Sequence, residues 1–213
     1  FNGNHALKEN ELLEWLGQVH GENLFKYNLS KASERIVDHP WVLSASVQRR
    51  FPQGIQVELT ERIPYARIKF KKVFLMDNFG VILSEEKPEH HHLPLIVQSS
   101  KIVKPENFSG EKVIQSLKTM HYFNKLSFFE KNPLEIAELK GHSRIIFFTR
   151  NREIRIQMSM ERLTDGFKKF MIVLDTLEDD AGKFHMIDLS FKDQVVVRDR
   201  ISSHSKSMKT PTN

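Results

Sequence analysis

Apolar positions recur at two spacings along this chain, and the switch between them marks out its elements. Leu12, Leu13 and Leu16 share one face of a helix over residues 8–16, and Gly17 follows as its stop. Residues 23–27 read as a connector. Ser30 is expected to cap a second helix through residue 38, with Ala32, Ile36 and Val37 facing inward. His39-Pro40 ends it, because the residue before a proline disfavours the helical region. A strand over residues 41–50 follows, with a tight turn at Pro52-Gln53-Gly54. In the next strand Ile55, Val57 and Leu59 alternate with Gln56, Glu58 and Thr60, giving one buried and one wet face. A further strand just before Gly3 would complete a three-stranded sheet, and the chain reads as starting inside or just after it.

Pro64 marks a boundary. Residues 66–70 and 73–77 are strand-like, Asp77-Asn78-Phe79-Gly80 is a turn, and residues 81–83 pair back. Residues 84–93 form a polar loop. A helix over 109–126 sets Val113, Leu117, Met120 and Phe123 on one face. Strands follow over 134–139, 144–149 and 153–158, with turns at 141–143 and 150–152. The clearest helix spans 161–177, where Leu163, Phe167, Phe170, Met171, Leu174 and Leu177 form a stripe at spacings of three and four. After a loop over 178–182, residues 183–198 read as one long strand or a strand pair. The pattern predicts an α+β protein. Residues 1–65 form a small unit of two helices on a three-stranded sheet, and residues 66–199 a β domain with a mostly antiparallel sheet and two helices. Residues 200–213, rich in Ser, Lys and Thr, have no apolar periodicity and are expected to be a disordered tail.

Composition narrows the function. No run of about 18 apolar residues exists to span a membrane. The opening Phe1-Asn2-Gly3-Asn4-His5 has neither an initiator Met nor a signal pattern, so the chain reads as a fragment or processed form. The absence of Cys removes disulfides, thiolate zinc sites and thiol nucleophiles together. Sixteen Phe against three Tyr point to dry cores. The net charge of +5 arises from Lys and Arg scattered among acids, which favours a solvated mixed-charge surface over anionic lipid, and lipid over nucleic acid.

Candidate chemistry is sparse. His90-His91-His92 lie adjacent in a loop, where neighbouring side chains point in different directions and do not close a metal site. Asp77 and Asp188 each sit at a strand end beside a turn, where Asp bonds to local backbone. There is no Gly-x-Ser-x-Gly elbow and no Gly-rich phosphate loop. The chain is therefore expected to have no catalytic residues, no metal and no cofactor. Glu61 and Arg62 suit either a partner contact or an ion pair within the domain, with the structural role favoured. Arg49 and Arg50, just before the hairpin turn, suit lipid headgroups or an acidic partner. Trp41 is expected in core or interdomain packing.

Several short motifs occur in a fixed order. Gly3-Asn4 leads through Leu7 into the first helix, and Gly21-Glu22-Asn23-Leu24-Phe25 joins the two helices. Pro40-Trp41-Val42, Ala45-Ser46-Val47, Arg49-Arg50 and Phe51-Pro52 follow, then Glu61-Arg62-Ile63-Pro64-Tyr65-Ala66. Met76-Asp77-Asn78-Phe79-Gly80, Leu93-Pro94-Leu95-Ile96 and Ile187-Asp188-Leu189-Ser190-Phe191 complete the series. In order and spacing, from about residue 1 to residue 199, this resembles the extracytoplasmic part of the FtsQ/DivIB family of bacterial cell-division proteins, a POTRA domain followed by a β domain. Ser190 stands where that family usually has Arg, and the family's glycine before the last helix is absent near Met158-Ser159-Met160. The resemblance implies a divisome scaffold and not an enzyme. It implies FtsB- and FtsL-type partners, other divisome proteins, no nucleic acid, and a single upstream helix in the inner membrane with this part on the periplasmic side. The POTRA domain, with Arg49, Arg50, Glu61 and Arg62 as contact candidates, is implicated in recruitment to the septum.

The resemblance also places a partner strand along residues 188–197, with Ser190, Phe191, Asp193, Gln194, Val195, Val196 and Val197 as the binding residues. The residues themselves leave two readings open. A late strand without a successor would lie at a sheet edge, with free backbone groups for an added strand and Phe191 as an apolar anchor. The valines equally suit the core. A rival class is a POTRA module of an outer-membrane assembly or secretion protein, which usually carries repeated POTRA units and a barrel. A small hydrolase would need a nucleophile, a base and an orienting group, and none is evident.

Overall fold

The computed structural model describes residues 1–17, 23–52, 54–98, 110–141, 143–179, 184–199 and 205–209. Gly21, Glu22, Gln53, Ser109, His142 and the ends of the expected tail lie outside them. The first half contains α1 (Glu9–Leu16), α2 (Leu29–Val37), β1 (Val42–Arg50) and β2 (Gly54–Glu61). Gly17 ends α1 at φ 80°, where an L side chain would be strained, and its N–H donates to Leu13 and Glu14 carbonyls. The Tyr27 hydroxyl closes the same end by donating to the Leu16 carbonyl at 2.8 Å.

The cap of α2 is Asn28 and not Ser30. Its side-chain oxygen accepts from the Lys31 N–H at 3.0 Å, and the helix starts at Leu29. Ala32 and Ile36 are buried, but Val37 lies on the outer face at 42% exposure. β1 and β2 form an antiparallel hairpin in which Ile55, Val57 and Leu59 turn toward the helices. The expected third strand is present as a single parallel bridge. Asn2 N–H donates to Val57 O at 2.9 Å, and Leu59 N–H donates to Asn2 O at 3.0 Å.

The remaining chain builds a ten-stranded sheet. Its elements are β3 (Pro64–Lys69), β4 (Val73–Asp77), β5 (Ile82–Glu85), β6 (Leu95–Gln98), α3 (Gly110–Phe123), β7 (Leu134–Lys140), β8 (Arg144–Thr149), β9 (Arg155–Ser159), α4 (Leu163–Asp179), β10 (Phe184–Asp188), β11 (Gln194–Asp199) and β12 (Ser205–Lys209). The strand order is β12-β11-β10-β9-β8-β7-β6-β3-β4-β5. The sheet is mixed, which corrects the expectation of a mostly antiparallel one: β3–β6, β6–β7 and β9–β10 are parallel. Parallel neighbours need a long crossover, and α3 and α4 lie in the connections from β6 to β7 and from β9 to β10.

The two helices touch each other, α3 also meeting β7 and α4 meeting β9. Between them and the sheet lies an aromatic core. The Phe123 ring has Phe167 and Phe170 centroids at 5.0 Å, Phe129 at 5.9 Å and Phe147 at 6.2 Å. The contacts with Phe129, Phe167 and Phe170 are edge-on, which suits the ring quadrupoles, and that with Phe147 is tilted. Met171, expected in the α4 stripe, is exposed, and Val173 takes a buried place instead. The cores of the two halves have no residue in common.

Two further expectations change. β6 is a strand of four residues where the sequence shows only a motif. Residues 205–209, in the expected disordered tail, pair antiparallel with β11 from Gln194↔Lys209 to Arg198↔Ser205. The supposed last edge, β11, is therefore an interior strand, and the sheet ends at β12 and β5.

Candidate partner-binding surfaces

The candidates in the first half divide by the work they do. Arg49 is engaged internally: its Nε donates to Leu24 O at 2.9 Å and an Nη to Tyr27 O at 3.0 Å, tying the loop before α2 to β1. Arg50 is exposed. Glu61 and Arg62 do not pair with each other. The Glu61 carboxylate accepts from the backbone N–H groups of His5, Ala6 and Leu7 at 2.8–2.9 Å, holding the segment before α1. Arg62 reaches into the second half and bonds Asp77 at 2.7 Å. Asp77 is buried, and its other oxygen accepts from Phe79 and Val81 N–H. The junction Arg62-Ile63-Pro64 lines a cleft of about 900 Å³ together with Trp41, Lys87 and His90.

At the other end, β10 finishes in Asp188, whose carboxylate organises the turn after it. One oxygen accepts from the Ser190 N–H and hydroxyl at 2.9 and 2.5 Å, and the other from Gln157 at 2.8 Å. Two cations hold the turn from α4 and its start. Arg162 Nη2 donates to Ser190 O at 2.8 Å, and Lys169 Nζ donates to Phe191 O at 2.5 Å. Lys169 is buried and paired with Asp165 at 2.9 Å. The result is a fixed turn that leaves the Phe191 ring 44% exposed. In β11, Val195 and Val197 are buried, Val196 and Gln194 are half-buried, and Asp193 before the strand is exposed. The structure thus brings Ser190, Phe191 and Asp193 to one turn and splits the valines between core and flank. Among the described residues no three or more His, Cys, Asp or Glu are grouped to hold a metal. Pro88–His90 form a 3-10 turn, with the His92 ring bonded to Glu89 O.

Residues 1–62 match the family described as POTRA domain, FtsQ-type. The chain is also 21% identical over 198 residues to a cell division protein FtsQ of Syntrophotalea carbinolica, covering 92% of this chain and 70% of that protein. It is 27% identical over 201 residues to a cell division protein DivIB of Clostridium tetani, covering 91% of this chain and 75% of the relative. Over 59 residues, 28% of this chain and 27% of the other, identity with a Corynebacterium glutamicum FtsQ rises to 49%. Its first 62 residues carry the FtsQ-type POTRA match, and most of its length is similar to proteins named FtsQ and DivIB. The matched POTRA region ends at Arg62, where β2 gives way to the junction and the ten-stranded sheet begins.

Three parts of this end of the molecule leave little trace in the sequence. Arg162 and Lys169 were hidden because their partners are backbone carbonyls 28 and 22 residues away. The i,i+4 spacing of Asp165 and Lys169 was the one local signal that Lys169 is engaged. β12 carried no strand signal at all: Ser-Lys-Ser-Met-Lys contains no β-branched or aromatic residue. Among the described residues no helix is long and apolar enough to cross a membrane.

Proposed function

We propose that this chain is a non-enzymatic scaffold of the divisome. It binds FtsB- and FtsL-type, membrane-anchored partners by β-strand addition at the β10–β11 end of its large sheet. In the cell an upstream helix would anchor it in the inner membrane, with this part on the extracytoplasmic side. The kinship with FtsQ and DivIB proteins supports the setting. The observation that carries the binding mode is the terminal ladder. There a polar pentapeptide of weak β-propensity lies on Val195-Val196-Val197, beside an exposed Phe191.

The partner strand takes the place of β12 on β11. A segment richer in β-branched residues would pair better with the valines, while the backbone bonds it makes replace those that β12 gives up. Phe191 serves as the apolar anchor beside the added strand. Where the family usually has Arg, this chain has Ser190, and Arg162 supplies a guanidinium at the same turn through its bond to Ser190 O.

Binding to a soluble complex of the FtsB- and FtsL-type ectodomains tests this reading. Phe191→Ala lowers affinity about tenfold or more, as loss of an aromatic anchor does. Truncation after Asp199 removes the competing strand and tightens binding. If truncation weakens binding, the partner sits outside β12; if the intact and truncated chains both fail to bind, the scaffold reading falls. Val196→Pro is unsuited to this test, because β11 pairs on both sides and proline there breaks an interior strand.

A further inference from the structure

The end of the POTRA domain where β1 turns into β2 carries two aromatic rings that the core does not use. Phe25 is 71% exposed and Phe51 67%, and their centroids lie 5.9 Å apart. Exposed Pro52 follows. Their presentation is built. Arg49 binds the carbonyls of Leu24 and Tyr27 on either side of Phe25, and the Asn23 side chain accepts from the Phe25 N–H at 2.9 Å. A loop held this firmly keeps its ring in water at a hydrophobic cost, so the exposure is a property of the fold.

The charges nearest the rings are basic, with Glu34 and Asp38 further along α2 in a hollow shared with Lys26 and Lys31. Ser33 bonds Ala45 O and Arg49 bonds Tyr27 O, so α2 runs antiparallel to β1 and its N-terminal end lies at the hairpin end. Lys26, Lys31 and Arg50 are all exposed there. Residues 23–31, 48–52 and 54–57 contain no Asp or Glu. Glu22 lies outside the described residues.

Chain direction supplies the third observation. Asn2 bridges β2 in parallel, and β2 runs away from the hairpin turn. The chain therefore approaches Asn2 from the Phe25–Phe51 end. If an anchor precedes it, as proposed above, this is the end of the domain that faces the bilayer. The inference takes only that orientation from the proposed function and does not depend on strand addition.

We infer that the tip formed by Phe25, Phe51 and Pro52, rimmed by Lys26, Lys31 and Arg50, rests on the headgroup layer of an anionic membrane. The rings enter the boundary between headgroups and acyl chains while the cations meet lipid phosphates. Apolar burial combined with attraction to anionic lipid is the mode by which peripheral segments bind.

Flotation of the chain with vesicles tests it, comparing pure phosphatidylcholine with an equimolar phosphatidylglycerol–phosphatidylcholine mixture at low and high salt. The wild type is expected on the anionic vesicles at low salt and not on the neutral ones. Phe25→Ser with Phe51→Ser, and separately Lys26→Gln with Arg50→Gln, each reduce partitioning roughly tenfold. All four side chains are solvent-facing, and circular dichroism checks that both variants keep the wild-type fold. The proposal is overturned if the wild type ignores anionic vesicles, or if either folded variant floats as the wild type does. It is equally overturned if the serine variant loses a protein partner while the wild type binds no lipid, which would make the tip a protein-docking site. Binding of the FtsB- and FtsL-type complex is unchanged in both variants, so failure here and failure of strand addition are read separately.

Discussion

Arg62 is the side chain that ties the two sheets together. Its guanidinium bonds the buried Asp77 carboxylate, and its backbone N–H donates to Trp41 O at 2.8 Å. Arg62→Ala leaves that carboxylate in place without its cation. The expected loss is on the order of 3 kcal/mol, read from urea unfolding, with partial recovery in Arg62→Lys. The sequence leaves Glu61 and Arg62 between a partner contact and an ion pair; in the structure Glu61 accepts from backbone amides and Arg62 pairs with Asp77. The partners were not legible. Glu61 meets amides at residues 5–7 and Arg62 meets a carboxylate across the β3–β4 hairpin, and both pairings depend on register. Asp77 and Asp188 were legible, because an Asp beside a turn commonly accepts from the N–H two residues on. Both do so, to Phe79 and Ser190.

At the scale of elements, α2 shows what the pattern gives and what it withholds. Its existence and buried face follow from Ala32 and Ile36. Its start does not, since Asn28 and Ser30 are both good caps and only the bond to Lys31 N–H decides between them. Asn28→Ala is therefore expected to cost about 1 kcal/mol in urea unfolding, while Ser30→Ala, at an exposed helical position, costs little. The long helices were legible because their apolar stripes are long. β6 was not: it has four residues, only Ile96 fully buried, and follows a proline. β12 was not because its place comes from the β11 strand it pairs with and not from its own composition. For the same reason β11 is not a free edge: a tail without apolar periodicity pairs along it.

For the whole molecule, the two cores share no buried residue, so each half should respond to its own mutations. Phe123 is fully buried amid Phe129, Phe147, Phe167 and Phe170. Phe123→Ala should cost about 3–5 kcal/mol. Calorimetry is expected to resolve two transitions, with only the one belonging to the large sheet moving down. A single transition that shifts as a whole would mean that the Arg62–Asp77 bond and the junction couple the halves into one cooperative unit. The α+β class was readable from periodicity. The mixed sheet was not, because periodicity reports which face of a strand is buried and says nothing of its neighbour's direction. That direction matters most at Asn2. A pull on Phe1, resisted from the far end of β2, acts along the strands and not across them. The bonds to Val57 and Leu59 then share the load as a lap joint does and do not open one after another like a zip. The first contact a tethered domain of this build presents to tension is thus its mechanically stronger geometry.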